Sequence, residues 1–192
     1  MGAAKVSLPN NIGYVHVPKT GGTFIKKWFK DNGIAIYSRG HERYEDSPGQ
    51  ARWWFATVRN PYHRMVSWYE FFREKAEREL RRNNRPPSRY HKMLEVYDKG
   101  FKHFLTHGDE AIGYLHRTQC RWVDGVDHVM RLEDIYTEWH QIYIRTGCEA
   151  ALPNHRAKTK DVSSYYDNYT KRLVQELYGE DFERFGYDKD TI

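Results

Sequence analysis

The sequence predicts a protein of the α/β class, in which a central parallel sheet is flanked by helices. Short apolar runs typical of buried strands alternate with segments whose apolar residues recur at helical spacing. Strand–loop–helix units in series produce parallel strands, because each crossover brings the chain back to begin the next strand in the same direction. The length of 192 residues, without a fixed repeat, indicates a single domain over residues 1–192.

Strands and helices are predicted in turn along the chain. The predicted strands are residues 12–17, 34–38, 53–58 and 127–131. The predicted helices run from residue 24 to a stop at Asn32-Gly33, and over residues 62–82, 90–97, 100–107, 132–146 and 170–185. The sequence also predicts a helical excursion from the α/β core, at about residues 75–125. Ligands of such sheets bind where strands end, so the loops that follow strands are the candidate sites.

Composition narrows the classes of partner and compartment. The net charge of +5 and the pI of about 9.1 favour an anionic partner, whether nucleic acid, polysaccharide or nucleotide. Two cysteines in no metal-binding spacing predict neither a disulfide framework nor a zinc site. No secretory signal and no long apolar run is visible, so the expected compartment is the cytoplasm, away from any membrane.

The loop after the first predicted strand has the composition of an anion site. Gly21 and Gly22 precede a helix N-terminus, where unpaired backbone N–H groups and the helix dipole favour negative charge. Lys19 supplies an ammonium group, and Thr20 and Thr23 supply hydroxyl donors. The lysine precedes the glycines and no Ser or Thr follows a Gly-Lys pair, so this is not a triphosphatase loop that holds magnesium. The pattern favours transfer of an anion without a metal.

A second anion site is predicted after the third strand. Arg59 ends that strand, and Ser67 lies two turns into the following helix. A guanidinium can hold a phosphate with two hydrogen bonds, and a hydroxyl adds another donor. Two neighbouring strand–loop–helix units would then hold two separated anionic groups.

These motifs resemble those of a known family. The segment His-Val-Pro-Lys-Thr-Gly-Gly-Thr at 16–23 resembles the 5′-phosphosulfate loop of sulfotransferases that use 3′-phosphoadenosine-5′-phosphosulfate (PAPS). It is most similar to the carbohydrate branch that contains the uronyl 2-O-sulfotransferases. Residues 57–67, with a Ser eight residues after an Arg, resemble the 3′-phosphate motif, and residues 165–187 resemble the C-terminal segment of the family.

The resemblance implies a P-loop-like three-layer sandwich and a metal-independent, in-line transfer. It implies that the loop from Lys19 to Phe24 binds the phosphosulfate, with Lys19 neutralising charge on the bridging oxygen. It also implies that Arg59 and Ser67 hold the 3′-phosphate. Phe24 stands where many members have Ser, and Asn60 and His63 replace common acidic residues.

A general base is needed because the acceptor hydroxyl loses its proton as sulfur is attacked. The Arg-Gly-His-Glu segment at 39–42 follows the second predicted strand, beside the Lys19 loop. In the uronyl sulfotransferases a His after a Gly at this point is the base, which implies that role for His41. Glu42 and Glu45 are the alternatives, and His16 is expected to pack under the loop.

The acceptor is less well defined by the sequence. His41 and Glu42, together with Arg156 and Lys158 of a basic loop, are weak candidates for contacting a carbohydrate or small-metabolite hydroxyl. Nucleic acid is not expected as a partner. Two other functions stay open at this level, a nucleotide-dependent phosphotransferase and a non-catalytic protein that binds polyanions.

Overall fold

A three-stranded parallel sheet organises the chain in the computed structural model, which describes residues 12–82, 87–153 and 161–192. The strands are β1 (Ile12–Val15), β2 (Trp53–Val58) and β3 (His128–Arg131), in the order β1-β2-β3. Val15 lies opposite Ala56, and Val58 lies opposite Arg131. The predicted α/β class, with a parallel sheet and flanking helices, is confirmed.

Eight α-helices are present among the described residues, and 3-10 turns occur at residues 44–46, 48–50, 132–134 and 163–165. The helices are α1 (Gly22–Asp31), α2 (Pro61–Arg82), α3 (Ser88–Asp98), α4 (Phe101–His107), α5 (Asp109–Ile112), α6 (Ile135–Glu138), α7 (His140–Thr146) and α8 (Asn168–Phe185). Most agree with the periodicity of the sequence to within two residues.

The described residues divide into two compact units. Residues 12–59 and 119–153 form the first unit, which contains the sheet with α1, α6 and α7. Residues 60–82, 87–118 and 161–192 form the second, which contains α2 to α5 and α8. The helical excursion predicted from the sequence falls mostly in the second unit.

The core of the first unit is rich in aromatic side chains. Every residue of β1 and β2 is buried, because a parallel sheet covered by helices has no solvated face. The indole of Trp28 meets that of Trp139 edge to face at 5.2 Å between centroids, and Phe29 stacks on Phe55 at 5.7 Å. This packing fixes α1, and therefore its N-terminus, against the sheet.

The core of the second unit is built on one face of α2. Tyr62, Met65, Tyr69, Phe72 and Ala76 recur every three or four residues and are buried. They belong to one apolar cluster with Val174, Tyr178 and Phe182 of α8. The apolar stripe that the sequence shows is therefore the inward face of the helix.

Two predicted elements are wrong in extent. Residues 34–38 form no strand, because only Tyr37 exchanges backbone hydrogen bonds with β1, through Tyr14 N and Ile12 O at 2.9 Å each. The helix predicted at 132–146 is broken into a 3-10 turn, α6 and α7. Asp134, at φ −105° and ψ 11°, departs from helical geometry between the 3-10 turn and α6.

Candidate functional site

The junction between β1 and α1 leaves a helix N-terminus without a side-chain cap. Gly21 is the N-cap residue of α1, and it has φ 85°, a left-handed conformation that glycine adopts without strain. Glycine has no side chain with which to satisfy the first N–H groups of the helix. Those groups and the positive end of the helix dipole form an anion site in the first unit.

Lys19 has an unusual backbone conformation in this loop. Its φ is 70°, and it is the one residue other than glycine with a positive φ among the described residues. A left-handed conformation of this kind costs about 1–3 kcal/mol and persists only where the surroundings fix it. Strain of this type clusters at functional sites, which draws attention to Lys19.

A buried chain of hydrogen bonds fixes the loop. The Thr20 hydroxyl donates to Val17 O at 2.8 Å, and the Thr57 hydroxyl of β2 donates to Thr20 O at 2.9 Å. Because the Thr57 proton is used, the Tyr14 hydroxyl is the donor in its 2.9 Å contact with Thr57 Oγ1. Burial raises the pKa of Tyr14, so the phenol keeps the proton that it donates. Tyr14, Thr20 and Thr57 are all buried.

This chain of bonds corrects one prediction. Thr20 was expected to offer its hydroxyl to the ligand, but its side chain is completely buried and its proton is donated to Val17. What Thr20 can offer is its backbone N–H. Thr23, by contrast, is exposed on the first turn of α1, and Phe24 packs against the apolar core of the first unit.

Gly21 and Gly22 are also required by close packing. A Cβ added to Gly22 would lie 1.9 Å from Cδ2 of the His16 ring, and one added to Gly21 would lie 2.7 Å from a methyl carbon of Leu132. The His16 ring therefore lies directly against the first residue of α1. His16 is half-buried, beside the helix N-terminus.

His16 and His41 form an imidazole pair. Their ring centroids are 4.6 Å apart, and His41 Nδ1 lies 3.2 Å from His16 O. A carbonyl oxygen only accepts hydrogen bonds, so Nδ1 of His41 carries the proton in this contact. Nε2 of His41 is then the unprotonated nitrogen, which is the form that a general base requires.

The surroundings of both imidazoles lower their pKa values and so favour the neutral form. Burial, with smaller contributions from His41, Lys26 and Lys19, lowers the pKa of His16 to about 3. His41 is exposed at the surface, and its pKa is also lowered, first by the partial desolvation of its ring and then by Lys26 and Lys19, with the bond to His16 O opposing. Burial lowers the pKa of Lys26 as well. Lys19 and Lys26 therefore supply positive charge beside the imidazole pair, and both histidine pKa values are shifted toward the neutral form.

The segment that carries His41 is held on an indole ring. Trp54 of β2 meets Tyr37 edge to face at 5.7 Å and Tyr44 at 5.6 Å. Tyr44 N also donates to Trp122 O at 3.1 Å. Residues 34–38 do not form the predicted strand. His41 nevertheless stays beside the loop, because Tyr37 and Tyr44, on either side of it in the chain, are both anchored.

The two alternative bases make other contacts. The Glu42 carboxylate accepts a hydrogen bond from Ser47 Oγ at 3.2 Å. Glu45 is exposed and forms an ion pair with Arg43. Each carboxylate is therefore held by another side chain, whereas His41 contacts His16 directly.

Arg59 directly follows β2 and is half-buried in the first unit. Its backbone N–H donates to Gln119 Oε1 at 2.9 Å, and its carbonyl accepts from Gln119 Nε2 at 2.8 Å. Ser67 is half-buried on α2 in the second unit. The joint role of Arg59 and Ser67 stays a prediction from the motif, and Arg156 and Lys158 lie outside the described residues.

Some residues of the site were not identified from the sequence. Thr57, Tyr14 and Gln119 act through contacts with residues far away in the chain, and no local pattern marks them. Lys26 had a usable signal, because it lies four residues after Gly22 and therefore on the same face of α1.

The described residues hold neither a metal-ligand cluster nor a helix that could span a membrane. In residues 12–82, 87–153 and 161–192, no three His, Cys, Asp or Glu side chains are grouped so that they could hold a metal ion. None of the helices in those ranges combines the length and the apolar character that crossing a membrane requires.

Comparison with known proteins gives one match. The model of the Sulfotransferase family covers residues 4–188, which is nearly the whole chain and includes both predicted motifs. No curated protein and no solved structure matched the sequence. The resemblance to sulfotransferases is confirmed at the level of the family, and the uronyl 2-O-sulfotransferase branch stays a prediction. The chain belongs to the sulfotransferase family and is an enzyme of sulfuryl transfer.

Proposed function

We propose that this enzyme transfers the sulfuryl group of PAPS to a hydroxyl group of a carbohydrate or a small metabolite, with His41 as the general base. The observation that carries the proposal is the juxtaposition of a helix N-terminus that has no side-chain cap with the His41 imidazole, whose Nδ1 faces the carbonyl oxygen of His16. Sulfotransferases generally use PAPS as the donor, and PAPS carries a sulfuryl group on the 5′-phosphate and a separate 3′-phosphate.

The loop after β1 fits the 5′-phosphosulfate. The N–H groups at the start of α1, at Gly22 and Thr23, point their positive ends at a bound anion. The exposed Thr23 hydroxyl can add a donor. Lys19 would bring its ammonium group to the oxygen between phosphorus and sulfur, where negative charge develops. A charge that acts on the leaving group stabilises the transition state more than the bound donor, so Lys19 should act mainly on turnover.

His41 fits the acceptor side of the reaction. Its Nε2 would accept the proton of the acceptor hydroxyl as the new O–S bond forms and the old S–O bond to phosphate breaks. The products would be the sulfate ester, adenosine 3′,5′-bisphosphate (PAP) and a protonated His41. Its lowered pKa favours the neutral form at neutral pH, and the fixed Nδ1–H directs the lone pair through Nε2. Glu42 and Glu45 are less suited, because each is held by another side chain.

Arg59 fits the 3′-phosphate. It sits at the carboxyl end of β2, and a guanidinium binds phosphate with two charged hydrogen bonds. Ser67 is assigned to the same phosphate by the motif alone. The acceptor itself is proposed as a carbohydrate from the resemblance, with Arg156 and Lys158 as candidate contacts beyond the described residues.

Calorimetric titration with PAP tests the assignment of the donor, with ATP and Mg²⁺ as the control ligand. We expect PAP to bind without metal and Arg59→Ala to weaken binding roughly 10- to 150-fold, since it removes charged hydrogen bonds. Lys99→Ala is the matched control, because Lys99 forms an exposed ion pair with Glu95 on another part of the chain. A preference for ATP with Mg²⁺ would instead indicate a different donor nucleotide.

A further inference from the structure

Gln119 has both ends of its amide bound to the backbone of one residue. Its Nε2 donates to Arg59 O at 2.8 Å, and its Oε1 accepts from Arg59 N at 2.9 Å. The Gln119 side chain is completely buried. Gln119 and Arg59 are 60 residues apart in the sequence, so their contact is a tertiary contact and not part of a local turn.

The contact between Gln119 and Arg59 lies just beyond the end of β2. The strand pairings end at Val15 with Ala56 and at Val58 with Arg131, so Arg59 lies one residue beyond the paired part of β2. The amide of Gln119 gives Arg59 the two hydrogen bonds that a neighbouring strand would give. The backbone conformation of Arg59 is thereby fixed one residue beyond the sheet.

Gln119 is itself held in place. Its backbone carbonyl accepts from Trp122 N at 2.9 Å and from Val123 N at 3.2 Å, and both of those residues are buried. The backbone of Gln119 is therefore fixed in a hydrogen-bonded turn, and this turn holds its side-chain amide in place. A long arginine side chain binds a phosphate well only if its backbone origin is fixed, because otherwise binding must also order the backbone.

We propose that Gln119 is a positioning residue for Arg59, and that its amide sets the affinity of the enzyme for the 3′-phosphate of the donor nucleotide. The inference rests on the proposed function, in which Arg59 binds that phosphate. Gln119 would act on nucleotide recognition, because its amide binds both backbone groups of Arg59.

The test compares PAP with adenosine 5′-phosphate, which lacks the 3′-phosphate. Gln119→Leu removes both hydrogen bonds, and Gln119→Glu keeps an acceptor for Arg59 N while facing Arg59 O with a second oxygen. We expect both variants to weaken PAP binding roughly 10- to 100-fold and to leave adenosine 5′-phosphate binding within about threefold. The KM for PAPS should rise similarly while kcat at saturating PAPS changes little.

Two controls separate positioning from general destabilisation. Gln175 of the second unit also has a bridging amide, which donates to Tyr62 OH at 3.0 Å and to Lys189 O at 2.8 Å. Gln175→Leu should lower the melting temperature but leave the preference for PAP intact. In an Arg59→Ala background, Gln119→Leu should cause no further loss of PAP affinity, because both act on one phosphate.

The outcomes are distinguishable. If the wild-type enzyme shows no preference for PAP over adenosine 5′-phosphate, the proposed donor is wrong and the inference falls with it. If Arg59→Ala abolishes the preference but both Gln119 variants keep it, the inference alone is overturned. Equal weakening of both nucleotides by folded Gln119 variants would also overturn it, since that result indicates a structural role. If Gln119→Leu does not fold, the folded Gln119→Glu variant decides between these results.

Discussion

The two strand–helix junctions of the predicted donor site are built in opposite ways. At the junction after β1, the N-cap residue is Gly21, which leaves the first N–H groups of α1 open to a ligand. At the junction after β2, the Asn60 side chain accepts from Tyr62 N at 2.9 Å, and Pro61 has no N–H at all. The first helix start is open and the second is closed by its own residues.

In the proposed function, this difference would give the chemistry to the first junction and binding alone to the second. An open helix start, together with Lys19 and His41, can stabilise charge that changes during the reaction. At the closed start, a phosphate must be held by side chains, and the sequence supplies Arg59 and Ser67 there. Substitutions at the first junction should therefore change kcat, and substitutions at the second should change affinity or stability.

The largest expected effect is that of His41→Ala. Loss of the general base should lower kcat roughly 10²–10⁴-fold while the Kd for PAP stays within about threefold of wild type. Single-turnover kinetics with saturating PAPS measure this directly. His140→Ala is the matched control, because His140 is exposed on α7 and bonded locally to Thr137 O. An unchanged rate in His41→Ala would transfer the role to Glu42 or Glu45.

Lys19→Ala should have the next largest effect. Removing the charge near the leaving oxygen is expected to lower kcat roughly 10²–10³-fold, with a much smaller change in the Kd for PAP. Lys27→Ala serves as the control, since Lys27 is exposed on α1 and paired with Asp31 at 2.5 Å. If Lys19→Ala changed the Kd as much as kcat, the division between a chemical junction and a binding junction would not hold.

Asn60 tests the closed junction. Asn60→Ala removes the cap of α2 and should destabilise the enzyme by about 1 kcal/mol, or about 2–4 °C in melting temperature. Asn60→Asp keeps the capping oxygen and should retain the stability. Neither change should alter PAP affinity more than about threefold, as measured by calorimetry. A loss of affinity in Asn60→Ala comparable to that of Arg59→Ala would show that this helix start contacts the nucleotide.

The sequence predicted those features that depend on local periodicity. Strand β2 was predicted at its observed bounds, and the apolar stripe of α2 gave that helix to within one residue. The candidate sites were also proposed from local patterns, because glycines before a helix and an Arg after a strand are readable at short range.

Other features depend on where a side chain points across the fold, and no local pattern fixes that. Thr20 was predicted as a ligand donor, yet its hydroxyl faces Val17 because Thr57 and Tyr14 come from neighbouring strands to meet it. The clamp of Gln119 on Arg59 spans 60 residues in the same way. The strand at 34–38 failed for the opposite reason, since an apolar run was present but only Tyr37 found a partner.

The smallest expected effect is a pH shift that tests how Lys26 acts on His41 at the open junction. Desolvation, with Lys26 and Lys19 adding to it, lowers the pKa of His41, so we expect the base to stay neutral, and the enzyme active, below the ordinary titration range of histidine. The rate should fall at lower pH as His41 gains a proton. Lys26→Met removes one nearby positive charge, which raises the pKa of His41 and moves the acid limb of kcat/KM to higher pH by a few tenths of a unit. Lys27→Met, on the exposed side of α1, should leave the limb in place. A shift to lower pH in Lys26→Met, or an equal shift in both variants, would mean that the acid limb reports a group other than the imidazole at the start of α1.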